Sequence, residues 1–179
     1  MNYNLKKILL ATLLLPCGIL LQAQQPLHYK KNIPLGANPT EMKYNLLHGK
    51  ARYLGNQEGM EFFQDRFGGL PCTLQFESAA HGTPTLYATF RVQEDWKSLE
   101  KDYDKLYDHL VKTLGTPTSE TYAFLHMAIQ DEIDRMQELR EGRCDWLARW
   151  EQEGGRIQLQ LITSPSGECF PSITWQPAK

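Results

Sequence analysis

Three stretches of the chain alternate apolar and polar residues with period two. In LPCTLQFE, Leu70, Cys72, Leu74 and Phe76 fall on one side and Thr73, Gln75 and Glu77 on the other. In TLYATFRV, Leu86, Ala88, Phe90 and Val92 oppose Tyr87, Thr89 and Arg91. In RIQLQLI, Ile157, Leu159 and Leu161 oppose Gln158 and Gln160. Period two marks a strand with one buried face. MEFFQDR, CDWLARWEQE and CFPSITW read as further strands, the last two with Cys144, Trp146, Ala148 and Trp150, then Cys169, Ile173 and Trp175, on one face. Gly68-Gly69 and Gly154-Gly155 each fall between a first and a second strand. Tight hairpin turns demand positive φ there, which glycine permits.

Other stretches repeat at three and four residues. In EDWKSLEKDYDKLYDHLVKTLGTP, Trp96, Leu99, Tyr103, Leu106 and Leu110 form one stripe, with Asp95 as cap and Gly115 and Pro117 as stop. NPTEMKYNLLHGK predicts a short helix: Asn38 caps it, Pro39 takes the first helical position, Glu41 completes a capping box, and Gly49 ends it. SETYAFLHMAIQDEIDRMQELREG predicts a third helix, with Tyr122, Leu125, Ile129, Ile133 and Met136 on its apolar face and Gly142 at its close. The expected fold class is therefore α+β. It is an antiparallel sheet of about six strands with helices on one face, in two helix-plus-three-strand units.

The first residues predict a leader rather than fold. Lys6 and Lys7 precede an apolar run of 14 residues, Ile8 to Leu21, and a small residue at Ala23. Spanning a bilayer takes about 20 apolar residues, so a signal peptide over 1–23 is expected, with no transmembrane span after processing. Pro16 before Cys17, and the apolar residues that follow it, argue against a lipid anchor at Cys17. One domain over 24–179 is the natural count for the remaining 156 residues. Loss of Lys6 and Lys7 takes the net charge from −2 to −4, which excludes a basic surplus for nucleic acid or an anionic membrane. The expected location is exported, periplasmic or extracellular.

Little catalytic patterning is present. Ser98-Leu99-Glu100-Lys101 spells S-x-x-K, without the companion elements of the serine–lysine enzymes, and reads as two polar residues in the first turns of a helix. His28, His48, His81, His109 and His126 show no ligand spacing. Asp131, Glu132, Asp134 and Glu138 read as a solvated helix face. Neither a catalytic residue, a metal nor a cofactor is predicted. Cys72, Cys144 and Cys169 are the candidate disulfide members; the odd count leaves a thiol over, and one disulfide and none both stand.

If the helices cover one sheet face, the other carries Thr73, Gln75, Tyr87, Thr89, Arg91, Arg149, Gln158, Gln160, Ser172 and Thr174. This is the candidate interaction face, for an envelope protein or a glycan. Its bland reading is the ordinary wet face of an antiparallel sheet.

IPLGANPTEMKYNLLHGK, with Ile33, Pro34 and Leu35, resembles the opening of a group of small secreted proteins of Gram-negative gut bacteria. Phe67-Gly68-Gly69, Leu114-Gly115-Thr116-Pro117, Cys144, Trp146, Ile157 and Leu159 continue the resemblance, loosely and mostly through turn and core residues. It transfers no catalytic residue. The paired helix-and-meander layout is similar to the β-lactamase inhibitor protein fold and to small outer-membrane assembly lipoproteins, which are binding modules. The expected function is an exported, non-enzymatic binding or envelope-accessory module. The alternatives are a small secreted hydrolase without a recognisable motif and a structural envelope component.

Overall fold

The computed structural model describes residues 27–125 and 132–178. The leader expected over 1–23, with Cys17, lies outside the described residues, as do His126, Ile129 and Asp131 and the side chains of Glu132, Ile133 and Asp134.

A short arm opens the described chain: β1 (His28–Lys30) pairs antiparallel with β2 (Ile33–Pro34). Helix α1 (Pro39–His48) follows. Asn38 Oδ1 accepts from the Glu41 N–H at 3.0 Å, and Glu41 Oε2 accepts from the Ala37 N–H at 2.8 Å, so the expected cap is built. Gly49 closes the helix without a left-handed dihedral. Its φ is −71°, and a Cβ there would stand 2.3 Å from Ile33 Cδ1.

The main sheet has eight strands, not six. Its order is β3 (Arg52–Gln57), β4 (Met60–Phe67), β5 (Leu70–Glu77), β6 (Leu86–Thr89), β10 (Cys169–Pro177), β9 (Gly155–Thr163), β8 (Cys144–Gln152), β7 (Ser119–Phe124). All pairs are antiparallel. Two four-stranded meanders meet where β6 pairs with β10. Helix α2 (Trp96–Leu114) joins them, and α3 (Glu132–Arg140) sits between β7 and β8. The α+β expectation of about six strands in two helix-plus-three-strand units is thus overturned by a mostly-sheet architecture. The two strands the sequence pattern passes over, β3 and β7, are the two edges.

The predicted helix from Ser119 fails in its first half. Ser119–Phe124 is the edge strand β7, paired with β8 from Ser119↔Arg149 to Phe124↔Cys144. Thr121, Tyr122 and Phe124 are β-branched or aromatic and favour a pleated surface. Tyr122 and Leu125, assigned to the helix's apolar face, are exposed, whereas Met136 on α3 is buried. Glu138 is not solvated: it is buried and takes a forked ion pair from Arg143 at 2.6 Å.

The three helices and the arm share one core with the inner face of the sheet. That core includes Phe63, Leu74, Phe76, Ala88, Leu159, Ile173 and Trp175 from the sheet, and Trp96, Leu99, Tyr103, Leu106 and Leu110 from α2. The Asp95 carboxylate caps α2 from outside, accepting the Ser98 N–H at 2.8 Å. Trp150 Nε1–H closes its far end, donating to the Gly115 carbonyl at 2.9 Å.

Candidate functional site

On the face away from the helices the register aligns two rows across seven strands. One runs Gln64, Thr73, Thr89, Ser172, Gln160, Leu147, Thr121. The other runs Phe62, Gln75, Tyr87, Thr174, Gln158, Arg149, Ser119. So Thr73, Gln75, Tyr87, Thr89, Arg149, Gln158 and Gln160 come together. Much of this face is occupied with itself. Arg149 Nε–H donates to Gln158 Oε1 at 3.0 Å, and Gln158 Nε2–H donates to Gln160 Oε1 at 2.6 Å. Tyr87 is its exposed aromatic.

Arg91 is elsewhere. β6 ends at Thr89, and the chain beyond it meets β10 through the Phe90 N–H, which donates to the Pro171 carbonyl at 3.2 Å, and the Gln93↔Cys169 bridge. Arg91 Nε–H and Nη2–H instead donate to the two carboxylate oxygens of Asp102 on α2, at 2.8 and 3.2 Å. Asp102 is 3% exposed, and Gln93 Nε2–H donates to it as well. The pair satisfies a buried charge, which otherwise costs several kcal/mol.

All three described cysteines are free thiols. Cys169 lies opposite Thr163 on β9, and Cys144 stands on β8, with β9 between them. At a strand spacing of about 4.8 Å their Cα atoms lie roughly 9–10 Å apart, beyond the reach of a disulfide. Cys72, on β5, sits 3.9 Å from the Tyr29 hydroxyl.

The helix side of the sheet holds a concavity that the sequence pattern did not announce. A cleft of about 700 Å³ opens between β1, the β4–β5 turn and the C-terminal half of α2. Its floor is apolar. Tyr29, Phe67 and Trp175 meet pairwise with ring centroids 5.1–5.6 Å apart, and Leu110 and Ile157 extend the surface. Its rim is cationic, with Lys30, Lys31, Arg66 and Lys112. Gly68 and Gly69, at φ +57° and +80°, bring the turn close to α2; a Cβ on Gly68 would stand 3.2 Å from Leu106 Cδ2. The His109 ring lies edge-on to Phe67 at 4.8 Å. Burial, and then the charges of Lys112 and Lys30, hold its pKa below the ordinary value.

A second, shallower concavity of about 420 Å³ lies on the other flank of α2, between Tyr103, Tyr107, Tyr122 and Trp146, with Asp104 and Glu120. The Tyr107 hydroxyl donates to Glu120 Oε1 at 2.5 Å, which pushes its pKa up to about 12. Among the described residues, His, Cys, Asp and Glu side chains nowhere gather in threes as metal ligands, and no helix is long and apolar enough to cross a membrane. The chain matches no protein-family model, no curated protein and no solved structure.

Proposed function

We propose that the protein is an exported, non-enzymatic binding module whose ligand sits in the cleft between β1, the β4–β5 turn and α2. Export rests on the leader pattern of residues 1–23. The observation that carries the binding reading is the preformed cleft. Tyr29, Phe67 and Trp175, buried at its base, hold one another in edge-to-face and tilted contact, so its shape is fixed before a ligand arrives. A volume of about 700 Å³ falls in the range of small-molecule sites, about 300–1,000 Å³. Hydrolysis would require a nucleophile within hydrogen-bond reach of a base. Of the cleft's two hydroxyls, Thr113 Oγ1–H donates to the His109 backbone carbonyl at 2.8 Å, and Tyr29 O–H, which does reach the Asp65 carboxylate at 3.2 Å, is buried away from the opening. The open sheet face is the weaker surface for an envelope protein or glycan, because Arg149, Gln158 and Gln160 already satisfy one another.

Native mass spectrometry tests this. The purified protein is incubated with an extract of envelope small molecules, and adducts are read on the intact chain. Wild type is expected to carry an adduct that Thr113→Trp, which fills the cleft mouth, loses and Tyr87→Ala keeps. Loss in Tyr87→Ala alone would move the site to the open face. An adduct on none of the three overturns the reading.

A further inference from the structure

The charge around the cleft runs against the charge of the protein. The chain as a whole carries −2, yet Lys31, Arg66 and Lys112 line this one opening, and Lys105 stands beside it. Lys105 Nζ lies 3.4 Å from where a Cβ on Gly69 would be. No ion pair among the described residues uses any of these four side chains. The nearby carboxylate, Asp65, is already occupied. It pairs with Lys30 at 2.6 Å and accepts from the Tyr29 hydroxyl at 3.2 Å. No Asp or Glu among the described residues lines the cleft. Helix α2 is segregated accordingly. Burial, followed by the charges of Glu100 and Asp108, raises the pKa of Asp104 on one side, while Lys105, His109 and Lys112 attend the cleft. The C-terminal end of α2 contributes about half a negative charge, too little to cancel four cations.

We infer that the cleft takes an organic anion with an apolar tail, of the class of a medium-chain carboxylate, its head at the rim of Lys31, Arg66 and Lys112 and its tail within the cleft, above the buried rings of Tyr29, Phe67 and Trp175. The inference rests on the cleft being the ligand site. An apolar lining beneath a rim of cations that lack carboxylate partners matches a ligand that is apolar at one end and anionic at the other, although Arg66 Nη2–H also donates to the Gly69 carbonyl at 2.7 Å. Rim cations close to a bound carboxylate form charge-assisted hydrogen bonds, which are stronger than neutral ones. Burial first, and then Lys112 and Lys30, hold the His109 pKa down, and an anion at the rim would raise it.

Titration calorimetry with four probes tests the class: decanoate, decan-1-ol, decyltrimethylammonium and inorganic phosphate. Decanoate is expected to bind at least tenfold tighter than each of the others. Lys31→Gln with Lys112→Gln is expected to weaken decanoate by roughly tenfold and to leave decanol unchanged, since each partly exposed charge pair is worth up to about 1 kcal/mol. Thr113→Trp is expected to abolish binding, and the His109 ring titration is expected to move up with decanoate and not with decanol. Equal binding of decanol would overturn the anionic head, and equal binding of phosphate would overturn the tail. Tightest binding of the ammonium would reverse the sign of the site. If no probe binds while the extract adduct persists and is lost in Thr113→Trp, the ligand class falls and the binding module stands; if neither appears, both fall.

Discussion

Cys72 and Cys144 show how burial decides the chemistry of a side chain. Burial pushes the Cys72 thiol up to about 11. Burial, followed by the negative charges of Asp145 and Glu138, pushes Cys144 up to about 12. The thiolate is the reactive form, so at pH 8 about a thousandth of Cys72 and about a ten-thousandth of Cys144 is available. Iodoacetamide at pH 8 is therefore expected to leave both unmodified under conditions that label a free cysteine fully, with labelling restored in urea; mass spectrometry reads the result. Rapid labelling of either in the native protein would contradict the packing described. Sequence alternation places these residues on the buried side, because period two carries facing information. Arg91 shows where that information stops. It alternates correctly with Tyr87 and Thr89, but it lies beyond the end of β6 and pairs with a buried carboxylate on α2. Asp102 lies next to the stripe residue Tyr103, and nothing in the sequence separates it from the helix's solvated acids.

The paired glycines look alike in sequence and serve different ends in the hairpins. Gly68 and Gly69 are the two turn residues between Phe67 and Leu70, both at positive φ. In the second hairpin the turn is Glu153-Gly154, and Gly155 already pairs within β9 and β8. Its need for glycine is steric as well as dihedral, at φ +141°, because a Cβ would stand 2.2 Å from the Gln176 carbonyl oxygen. Gly68→Ala is expected to cost about 1–2 kcal/mol, the penalty of left-handed backbone for an L-residue. Gly155→Ala is expected to cost more, roughly 3 kcal/mol or above, since backbone must shift as well. Urea denaturation midpoints check the order; an equal or reversed loss would place Gly155 away from β10. The hairpins were legible because glycine marks them. The edge strands were not. Nearly every residue of β3 and β7 is exposed, so no apolar face was there to read. Tyr122 and Leu125 also fit a helical spacing with Ile129 and Ile133, and only pairing with β8 decides against it.

Across the whole molecule, α2 is what makes two meanders one protein. Its Leu106 meets the β4–β5 turn at Gly68, in the first meander. Its far half sets Tyr107 against Trp150 in tilted contact at 6.0 Å and contacts β9 and β10, in the second. The sheet itself joins the halves through the four-residue strand β6, from Thr89↔Ser172 to Leu86↔Trp175, extended by the Phe90 N–H bond to the Pro171 carbonyl and the Gln93↔Cys169 bridge. A single buried cluster runs through all of these elements, so the meanders have no separate cores to retain. Leu106 is fully buried at the centre of that cluster, and Leu106→Ala is expected to cost about 2–5 kcal/mol. The loss should appear as one cooperative transition moved to lower urea. All four tryptophans lie on α2 or in the second meander, at 96, 146, 150 and 175. Their fluorescence therefore follows that half, while far-ultraviolet circular dichroism follows both. Coincident midpoints by the two probes, in wild type and variant alike, are the expected result. A fluorescence transition that separates from the dichroism would mean that the second meander and α2 unfold apart from the first. The cleft would then open before the fold is lost, because its floor is drawn from both halves, Phe67 from the first and Ile157 and Trp175 from the second.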